Sequence, residues 1–375
     1  MALPTQPPHA VEIVPLTLRD LLRAAVQQGA SDVHIRAGAV PLLRVGGDLW
    51  PLDVPPLTPE QAEALVLSAL PSERDRTSFR DDREADFAVN DPEVGRFRAN
   101  AYWSRGGAAM VLRHVKASIP SFEDLGLPPT VRDLAERTSG LILVCGPTGS
   151  GKTTTLAAMI SHINATRRCH ILTLEDPIEF LHNDQLATVS QRELHTDTLD
   201  LSRALRAAMR QDPDVILVGE IRDVDTMRTA LQAAETGHLV LASLHAKSVV
   251  DAVNRVIDIF PMEEQRQARA TIAESLQGVL CQQLVSSARG TGRRMVLEVA
   301  VANPRVRDAI ADLDKTGQLE DIVAEGEYYG MRTFEQDAVR LVLAGDITVQ
   351  EAEKVVPRVA DLHVALRRAG YRESS

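Results

Sequence analysis

The sequence of 375 residues is poor in cysteine, in aromatic residues and in net positive charge. Its three cysteines, Cys145, Cys169 and Cys281, lie far apart and form no C-x-x-C pair, which argues against a zinc site or a disulfide framework and fits a reducing compartment. The formal net charge is −11, and aromatic residues make up 3% of the chain. Because nucleic-acid binding relies on cationic side chains and, for single strands, on aromatic stacking, no nucleic-acid partner is expected and a translocase is disfavoured.

Long apolar runs are missing as well. Nowhere do about 18 uninterrupted apolar residues occur, and the N-terminus has no basic segment followed by an apolar core. The sequence therefore predicts no transmembrane segment and a cytoplasmic protein that can still dock on a membrane complex. Its length exceeds what one hydrophobic core usually fills, so two domains are expected.

The apolar pattern changes along the chain and suggests domain boundaries. Residues 1–15 are rich in proline and lack periodicity, and we interpret them as a flexible leader. Residues 16–115 combine helical spacing with short alternating segments, which predicts a small α+β domain. Residues 116–121 form a plausible linker before a second domain at 122–375.

The second domain is predicted to be α/β. Its apolar runs at 141–145, 170–174, 214–218 and 238–244 are separated by helical spacing. Such alternation predicts a mostly parallel sheet with helices on both faces. After residue 260 the pattern is largely helical, apart from a strand at 295–301.

The stretch from Leu141 to Leu156 has the form of a phosphate-binding loop between a strand and a helix. Its glycines let backbone N–H groups point inward, and the following helix directs the positive end of its dipole at the same point. Lys152 supplies a cation for the β- and γ-phosphates, and the Thr153 hydroxyl is placed to ligate Mg²⁺. The predicted nucleotide-binding residues are Gly146, Pro147, Thr148, Gly149, Ser150, Gly151, Lys152, Thr153 and Thr154.

Acidic residues follow two predicted strands of the same domain. Glu175 and Asp176 come directly after one apolar run, and Glu220 ends a Walker B-like run. Ligands of open α/β sheets bind at the carboxyl ends of strands, so these carboxylates are candidates to hold Mg²⁺ or to order the attacking water. The alternatives are a surface turn for the first pair and a plain salt bridge to Arg222 for Glu220.

Histidines and arginines supply further candidates. His245 ends an apolar run, which favours contact with a γ-phosphate, whereas His238 opens the run and suits a structural or interfacial role. Arg206 and Arg210 lie four apart on a predicted helix and point either at a neighbouring nucleotide or, as paired arginines more often do, at solvent. The small domain adds arginines that either neutralise transition-state charge or form an ordinary cationic surface, namely Arg96, Arg98, Arg105 and Arg113.

Taken in order, these motifs resemble a known family. The segments that carry the resemblance are Ala30–His34, Gly95–Asn100, the loop from Gly146, Thr173–Phe180, Asp212–Asp223, Gly237–His245, Ala273–Leu284 and Gly330–Phe334. Together they resemble the secretion ATPase superfamily and, within it, the PilT-type type IV pilus retraction ATPases.

The resemblance implies a fold and roles for individual residues. It implies a PAS-like N-terminal domain followed by a RecA-like P-loop NTPase domain with a helical C-terminal region. It makes Glu175 the Asp-box carboxylate and Glu220 the Walker B glutamate, and it puts His245 in the His box together with His238. Two further catalytic candidates, arginines of the N-terminal domain that reach the nucleotide in this family, are Arg98 and Arg113.

The function implied by the resemblance is a hexameric ATPase motor that powers pilus retraction and twitching motility. Its cofactors would be ATP and Mg²⁺, with the metal held by Thr153, Glu175 and Glu220, partly through water. Which glutamate is the general base stays open. The implied partners are the other subunits of a homo-hexamer and an inner-membrane pilus platform protein, with a paralogous motor ATPase as a further candidate, and the implied location is the inner face of the cell membrane.

One segment departs from the family's pattern. Retraction ATPases tend to carry Ala-Ile-Arg-Asn-Leu-Ile-Arg-Glu where residues 305–312 are Arg-Val-Arg-Asp-Ala-Ile-Ala-Asp. Arg307 is kept, and the Asn, the Leu and the later Arg are replaced. The change leaves the hydrolysis residues untouched and bears on retraction, so an accessory or assembly ATPase of the superfamily, or a weakly hydrolysing modulator of a partner motor, are the alternatives.

Overall fold

The computed structural model describes residues 16–115, 118–290 and 292–371. These residues form two compact units, unit 1 (16–115) and unit 2 (118–371). The predicted leader lies outside the described residues, as do positions 116 and 117 of the predicted linker. Within the described ranges, no helix is both long enough and apolar enough to cross a bilayer.

Unit 1 contains one antiparallel sheet and three helices. Its strands are β1 Asp32–Arg36, β2 Leu42–Val45, β3 Asp48–Pro51, β4 Glu84–Asp91, β5 Gly95–Ser104 and β6 Gly107–His114, in the spatial order β3-β2-β1-β6-β5-β4. Its helices are α1 Leu18–Gln27, α2 Pro59–Ala69 and α3 Glu73–Asp81.

Local sequence explains these elements. Thr17 and Thr58 each form a capping box, with side chains that satisfy the first free N–H groups of α1 and α2. On β5 the alternate residues Phe97, Ala99 and Ala101 are buried, as expected for a strand with one face on the core.

Unit 2 is an α/β domain built on a seven-stranded mixed sheet. Its strands are β7 Gly140–Cys145, β8 His170–Glu175, β9 Thr188–Glu193, β10 Val215–Val218, β11 Leu239–Leu244, β12 Leu276–Ser286 and β13 Arg293–Val301, in the order β13-β12-β7-β11-β10-β8-β9. Neighbouring strands run parallel except for the antiparallel pair β12 and β13.

Helices surround this sheet. They are α4 Phe122–Leu125, α5 Pro129–Ala135, α6 Lys152–Thr166, α7 Leu201–Ala208, α8 Val224–Glu235, α9 Val249–Asp258, α10 Gln265–Ser275, α11 Pro304–Ala311, α12 Leu319–Ala324, α13 Phe334–Leu343, α14 Val349–Glu353 and α15 Val359–Arg368, with 3₁₀ turns at Leu313–Gln318 and Glu327–Tyr329. Every residue of β7, β10 and β11 is buried, because helices cover both faces of these apolar strands. Since the strands are parallel, the carboxyl ends of β7, β8, β10 and β11 meet at one edge of the sheet.

Strand β12 lies in the region that the sequence pattern describes as largely helical, so that prediction is wrong for residues 276–286. Its apolar residues recur at a spacing that also suits a helix. Pairing with β7 on one side and β13 on the other holds β12 as a strand. A Cβ on Gly278 would lie 2.8 Å from the Leu134 side chain and 3.1 Å from the Ala300 carbonyl, so a larger residue there would displace these neighbours.

The helix predicted to carry both Arg206 and Arg210 is shorter than expected. Helix α7 ends at Ala208, so Arg210 lies in the following turn and the two arginines do not share a helical face. Arg206 stays on α7 and donates a hydrogen bond to the Ser202 hydroxyl, 3.2 Å away.

Candidate nucleotide-binding site

The turn between β7 and α6 is wound around glycines. Gly146, Gly149 and Gly151 have φ angles of 150°, 78° and 93°, a region that disfavours other residues. A Cβ on Gly146 would lie 2.4 Å from the Gln282 carbonyl oxygen and 2.5 Å from the Ser150 hydroxyl, so a side chain there would displace the turn. Gly151 is the N-cap of α6 and provides no side-chain cap, which leaves the first N–H groups of the helix available to an anion.

Lys152, the first residue of α6, folds back over this turn. Its Nζ donates hydrogen bonds to the carbonyl oxygens of Gly146 and Pro147, at 2.9 and 3.0 Å. Burial lowers the pKa of Lys152, while the charge of Glu220 acts in the opposite direction. The loop therefore holds a cationic group beside the helix N-terminus, and both features attract phosphate.

Glu220 follows β10 and binds two other side chains of the site. Arg222 donates from Nη2 to one carboxylate oxygen at 2.6 Å, and His245 Nε2 lies 3.0 Å from the other. Burial acts to raise the pKa of Glu220, but the hydrogen bond and charge of Arg222, and then the charges of His245 and Lys152, hold it below its usual value. The salt bridge considered from the sequence is thus present, and it leaves an ionised carboxylate near the loop.

The backbone before Glu220 is fixed by its neighbours. Ser243 on β11 donates from its hydroxyl to the Gly219 carbonyl at 2.5 Å. A Cβ on Gly219 would lie 3.2 Å from the Leu174 carbonyl and 3.3 Å from the Glu175 Cα, so the ends of β10 and β8 are in close contact. The two acidic positions predicted from the sequence are therefore brought together.

Glu175 ends β8 with 6% of its surface exposed. Thr173 and Gln191 donate hydrogen bonds to the same carboxylate oxygen, at 2.7 and 3.1 Å. Burial raises the pKa of Glu175; these two hydrogen bonds lower it, and the charges of Glu179 and Glu193 raise it further. Because its pKa is raised, Glu175 is a better proton acceptor at neutral pH than an ordinary carboxylate.

A cleft of about 620 Å³ joins these groups within unit 2. The predicted residues that line it are Thr148, Gly149, Gly151, Lys152, Thr153, Thr154, Glu175, Asp176, Glu220 and His245. The remaining loop residues do not line the cleft: Gly146, Pro147 and the buried Ser150. His182 also lines it, and burial lowers the pKa of this histidine to about 4, so its imidazole is neutral at physiological pH.

The oxygen donors that line the cleft are of the kind that Mg²⁺ uses. In the part of the chain that the structure describes, no three His, Cys, Asp or Glu side chains cluster as metal ligands. Mg²⁺ normally keeps several waters and is held by one or two carboxylates together with substrate phosphates. Thr153, Glu175 and Glu220, which line one cleft beside a phosphate-binding turn, match that requirement.

His245 stands in a short segment that is held at both ends. It follows β11 directly, and helix α9 begins four residues later at Val249. Glu298 of β13 accepts a hydrogen bond from the Val249 N–H at 2.7 Å. The histidine is thus placed by the sheet on one side and by this helix anchor on the other.

The remaining predicted residues make contacts within their own units. His238 precedes β11, at the opposite end from His245, and its Nδ1 lies 2.9 Å from the Ala233 carbonyl, which is a structural contact. Arg98 and Arg113 belong to unit 1 and stand opposite each other on β5 and β6. Arg113 donates to the buried Asp32 at 2.8 Å. A catalytic role for Arg98 and Arg113 stays a prediction.

Sequence reasoning missed several polar residues that position the site. Ser243 and Gln191 belong to this group, as does Gln282, which donates to the Ser150 carbonyl. Ser243 carries a usable signal, because it is a polar residue inside the apolar run that precedes His245. Gln191 and Gln282 lie on β9 and β12, which the sequence did not predict as strands.

Comparisons with known proteins identify the family of the chain. The family model described as "Type II/IV secretion system protein" matches residues 9–354. The type IV pilus retractation ATPase PilT of Pseudomonas aeruginosa is 42% identical over 339 residues, covering 90% of this chain and 98% of that protein. A twitching motility protein of Neisseria gonorrhoeae is 40% identical over 338 residues, covering 90% of each chain.

A solved structure has the same fold. The crystal structure of the pilus retraction motor PilT with bound ADP covers 93% of this chain and 99% of its own, with a TM-score of 0.86 at 41% identity. Family model, relatives and structure each extend over most of the sequence. The chain therefore belongs to the type II/IV secretion system protein family.

Proposed function

We propose that this chain is a Mg²⁺-dependent ATPase motor that powers type IV pilus retraction and, through it, twitching motility. The observation that carries the proposal is the convergence of Lys152, Glu220 and His245 on one cleft beside a phosphate-binding turn. The similarity to a pilus retraction ATPase along most of the chain supports retraction as the work that hydrolysis drives.

In the proposed reaction, water attacks the γ-phosphate of ATP, and ADP and phosphate leave. Lys152 and the N–H groups at the start of α6 orient and neutralise the phosphates. Thr153 would hold Mg²⁺ together with Glu175 and Glu220, partly through water, and the metal would supply positive charge that neutralises the phosphates.

The two glutamates differ in their proton chemistry, which suggests separate roles. Burial raises the pKa of Glu175, so this carboxylate suits the general base that takes a proton from the water. Arg222 counters the burial of Glu220 and keeps its pKa low, so this carboxylate stays ionised and orients the water or the water shell of the metal. His245 contacts Glu220 and is the group that responds to the γ-phosphate.

The proposal extends to the assembly. Residues 16–115 act as a PAS-like domain, and residues 122–375, after a linker at 116–121, act as a RecA-like motor domain. Six copies form a ring in which Arg98 and Arg113 reach the nucleotide. The ring works at the cytoplasmic face of the inner membrane on a pilus platform protein, with a paralogous motor ATPase as a further candidate partner.

A second candidate is an accessory or assembly ATPase, or a weakly hydrolysing modulator of a partner motor. The departure at residues 305–312, on α11, favours it. Arg307 donates hydrogen bonds to the Ala273 and Glu274 carbonyls at the end of α10, so the residue that is kept has a structural role. Asp308 and Ala311, two of the replaced positions, are exposed and are therefore accessible to a partner of the motor.

The hydrolysis proposal is tested on the purified full-length chain. Wild-type protein with ATP and Mg²⁺ is expected to release phosphate, and chelation of Mg²⁺ or the Lys152→Ala substitution is expected to abolish release. Lys247→Ala is the matched control, because Lys247 is an exposed lysine of the same unit that does not line the cleft. Phosphate release that survives Lys152→Ala would contradict the assigned site.

Retraction is tested in a piliated bacterium that lacks its own retraction ATPase. Expression of this chain should restore twitching, and the Lys152→Ala variant should not. Hydrolysis in the purified chain without restored twitching would favour the second candidate.

A further inference from the structure

Gln282 approaches the phosphate-binding turn from the neighbouring strand. It is completely buried on β12, one residue beyond Cys281, the last residue of β12 paired with β7. Its Nε2 donates a hydrogen bond to the Ser150 carbonyl oxygen at 2.8 Å. The same nitrogen lies 3.2 Å from the position that a Cβ on Gly151 would occupy. The amide of Gln282 therefore lies against the peptide that joins Ser150 and Gly151.

This contact fixes the direction of one backbone N–H. A trans peptide is planar, so its C=O and N–H groups point in opposite directions. With the Ser150 carbonyl held toward β12, the Gly151 N–H points away from β12. Gly151 lines the cleft, whereas Ser150 is 3% exposed.

Without this anchor, the peptide has freedom to turn over. Gly151 has a φ of 93°, and glycine populates positive and negative φ about equally readily. A reversed peptide would direct a carbonyl oxygen, instead of an N–H, at an anionic ligand. Phosphate-binding turns depend on N–H groups that converge on the anion.

We propose that Gln282 is a positioning residue of the phosphate-binding loop, which holds the Ser150–Gly151 peptide with its N–H toward the β-phosphate of the nucleotide. The inference rests on the proposed function, because it concerns the same nucleotide site. Gln282 does not touch the substrate in this account. It acts only through the loop backbone.

The polarity of Gln282 is not explained by the stability of the fold. Its Oε1 is buried and has no hydrogen-bond partner among the described residues, and the same holds for the Ser150 hydroxyl. An apolar side chain of similar volume would leave the Ser150 carbonyl without its donor, but it would also remove the unpaired Oε1. Because each buried acceptor without a partner costs free energy, the two effects are expected to offset each other in the stability of the core. The reversed amide would bring Oε1 against the Ser150 carbonyl, two acceptors in contact, which supports the orientation described.

The test compares two adjacent glutamines. Gln282→Met removes the donor and keeps the volume, and Gln282→Glu replaces the donor by an acceptor at the same place. Gln283→Glu is the matched control, since Gln283 is the next residue of β12 and only partly buried. For each full-length variant, ADP and AMP affinities are measured by calorimetry, and thermal unfolding is measured without nucleotide.

We expect about tenfold weaker ADP binding for Gln282→Met and a larger loss for Gln282→Glu, with AMP affinity unchanged because AMP has no β-phosphate. The melting temperature without nucleotide should stay at the wild-type value in Gln282→Met, and Gln283→Glu should bind like wild type.

Three results would overturn the inference. If both Gln282 variants bind ADP as strongly as wild type, the role of Gln282 is contradicted and the proposed function is not affected. An equal loss for ADP and AMP, or a loss that follows a lowered melting temperature, would indicate a general structural role. Wild-type protein that binds no ADP would refute the proposed function itself.

Discussion

Replacement of Glu298 by glutamine is expected to stabilise unit 2 above pH 7. Glu298 on β13 is 6% exposed and accepts the hydrogen bond from the Val249 N–H at the start of α9. Burial raises its pKa from an ordinary 4.5 to about 7; the Val249 hydrogen bond lowers it, and the charge of Glu320 raises it. Glutamine keeps an acceptor oxygen for the Val249 N–H and carries no charge that burial would disfavour.

The sign of the pH dependence follows from proton binding. The folded state, with its raised pKa, holds the proton more tightly than the unfolded state does. The free energy of unfolding is therefore highest below pH 4.5, falls as the pH rises to about 7, and is level above that value. The full fall for a change from 4.5 to about 7 is on the order of 3 kcal/mol.

The assay is urea unfolding at pH 5 and pH 8, followed by circular dichroism. The two tryptophans, Trp50 and Trp103, both lie in unit 1, so their fluorescence provides an internal control. Glu298→Gln should raise the stability of unit 2 by about 3 kcal/mol at pH 8 and by less than about 1 kcal/mol at pH 5. The fluorescence transition should not change.

The exposed Glu263 supplies the matched control. Glu263→Gln removes the same charge from the surface of unit 2, and it should change stability by no more than about 0.5 kcal/mol at either pH. The reasoning is refuted if Glu298→Gln and wild type are equally stable at pH 8, or if their difference is the same at both pH values.

Three further predictions concern single contacts. Arg222→Gln removes the charge that opposes the burial of Glu220, so the pKa of Glu220 should rise, which a carboxylate titration followed by carbon-13 NMR would measure; an unmoved Glu220 titration would contradict the described pair. Gly219→Ala adds a Cβ 3.3 Å from the Glu175 Cα and should lower kcat by about an order of magnitude with little change in melting temperature. A wild-type kcat would show that catalysis does not depend on the close approach of the ends of β10 and β8. Thr58→Ala removes the capping box of α2 and should lower the free energy of unfolding of unit 1, measured by tryptophan fluorescence, by about 1 kcal/mol. The transition of unit 2, followed by circular dichroism, is the control.

The sequence predicts those parts of the site whose chemistry depends on residues that are close together in the chain. The glycines of the phosphate-binding turn allow the positive φ angles that its backbone requires, and Lys152 follows at a fixed spacing. Glu220 and His245 were predicted because apolar runs reveal buried parallel strands, and the ends of such strands meet at one edge. These predictions require that the strands exist, but they do not depend on the register between neighbouring strands.

Two strands escaped prediction for different physical reasons. Strand β9, Thr188–Glu193, is a polar edge strand and has no apolar run. Because the strand is not predicted, the contact of Gln191 with Glu175 is not predicted either. Strand β12 has apolar residues at helical spacing, and its pairing with β13 and with β7, which lies far away in the sequence, holds it extended. Such tertiary packing has no local sequence signal, and the Gln282 contact depends on it.

The anchoring of α9 by Glu298 limits how His245 can move. The five residues from His245 to Val249 join a fully buried strand to the start of α9, which is hydrogen-bonded to Glu298 of β13. The backbone of this segment is therefore restricted at both ends. A response of the imidazole to nucleotide turnover is then a rotation about its own side-chain torsions, on a picosecond-to-nanosecond timescale. Motions of whole domains take microseconds to milliseconds, so a side-chain rotation of His245 would not be the slow step of a motor cycle.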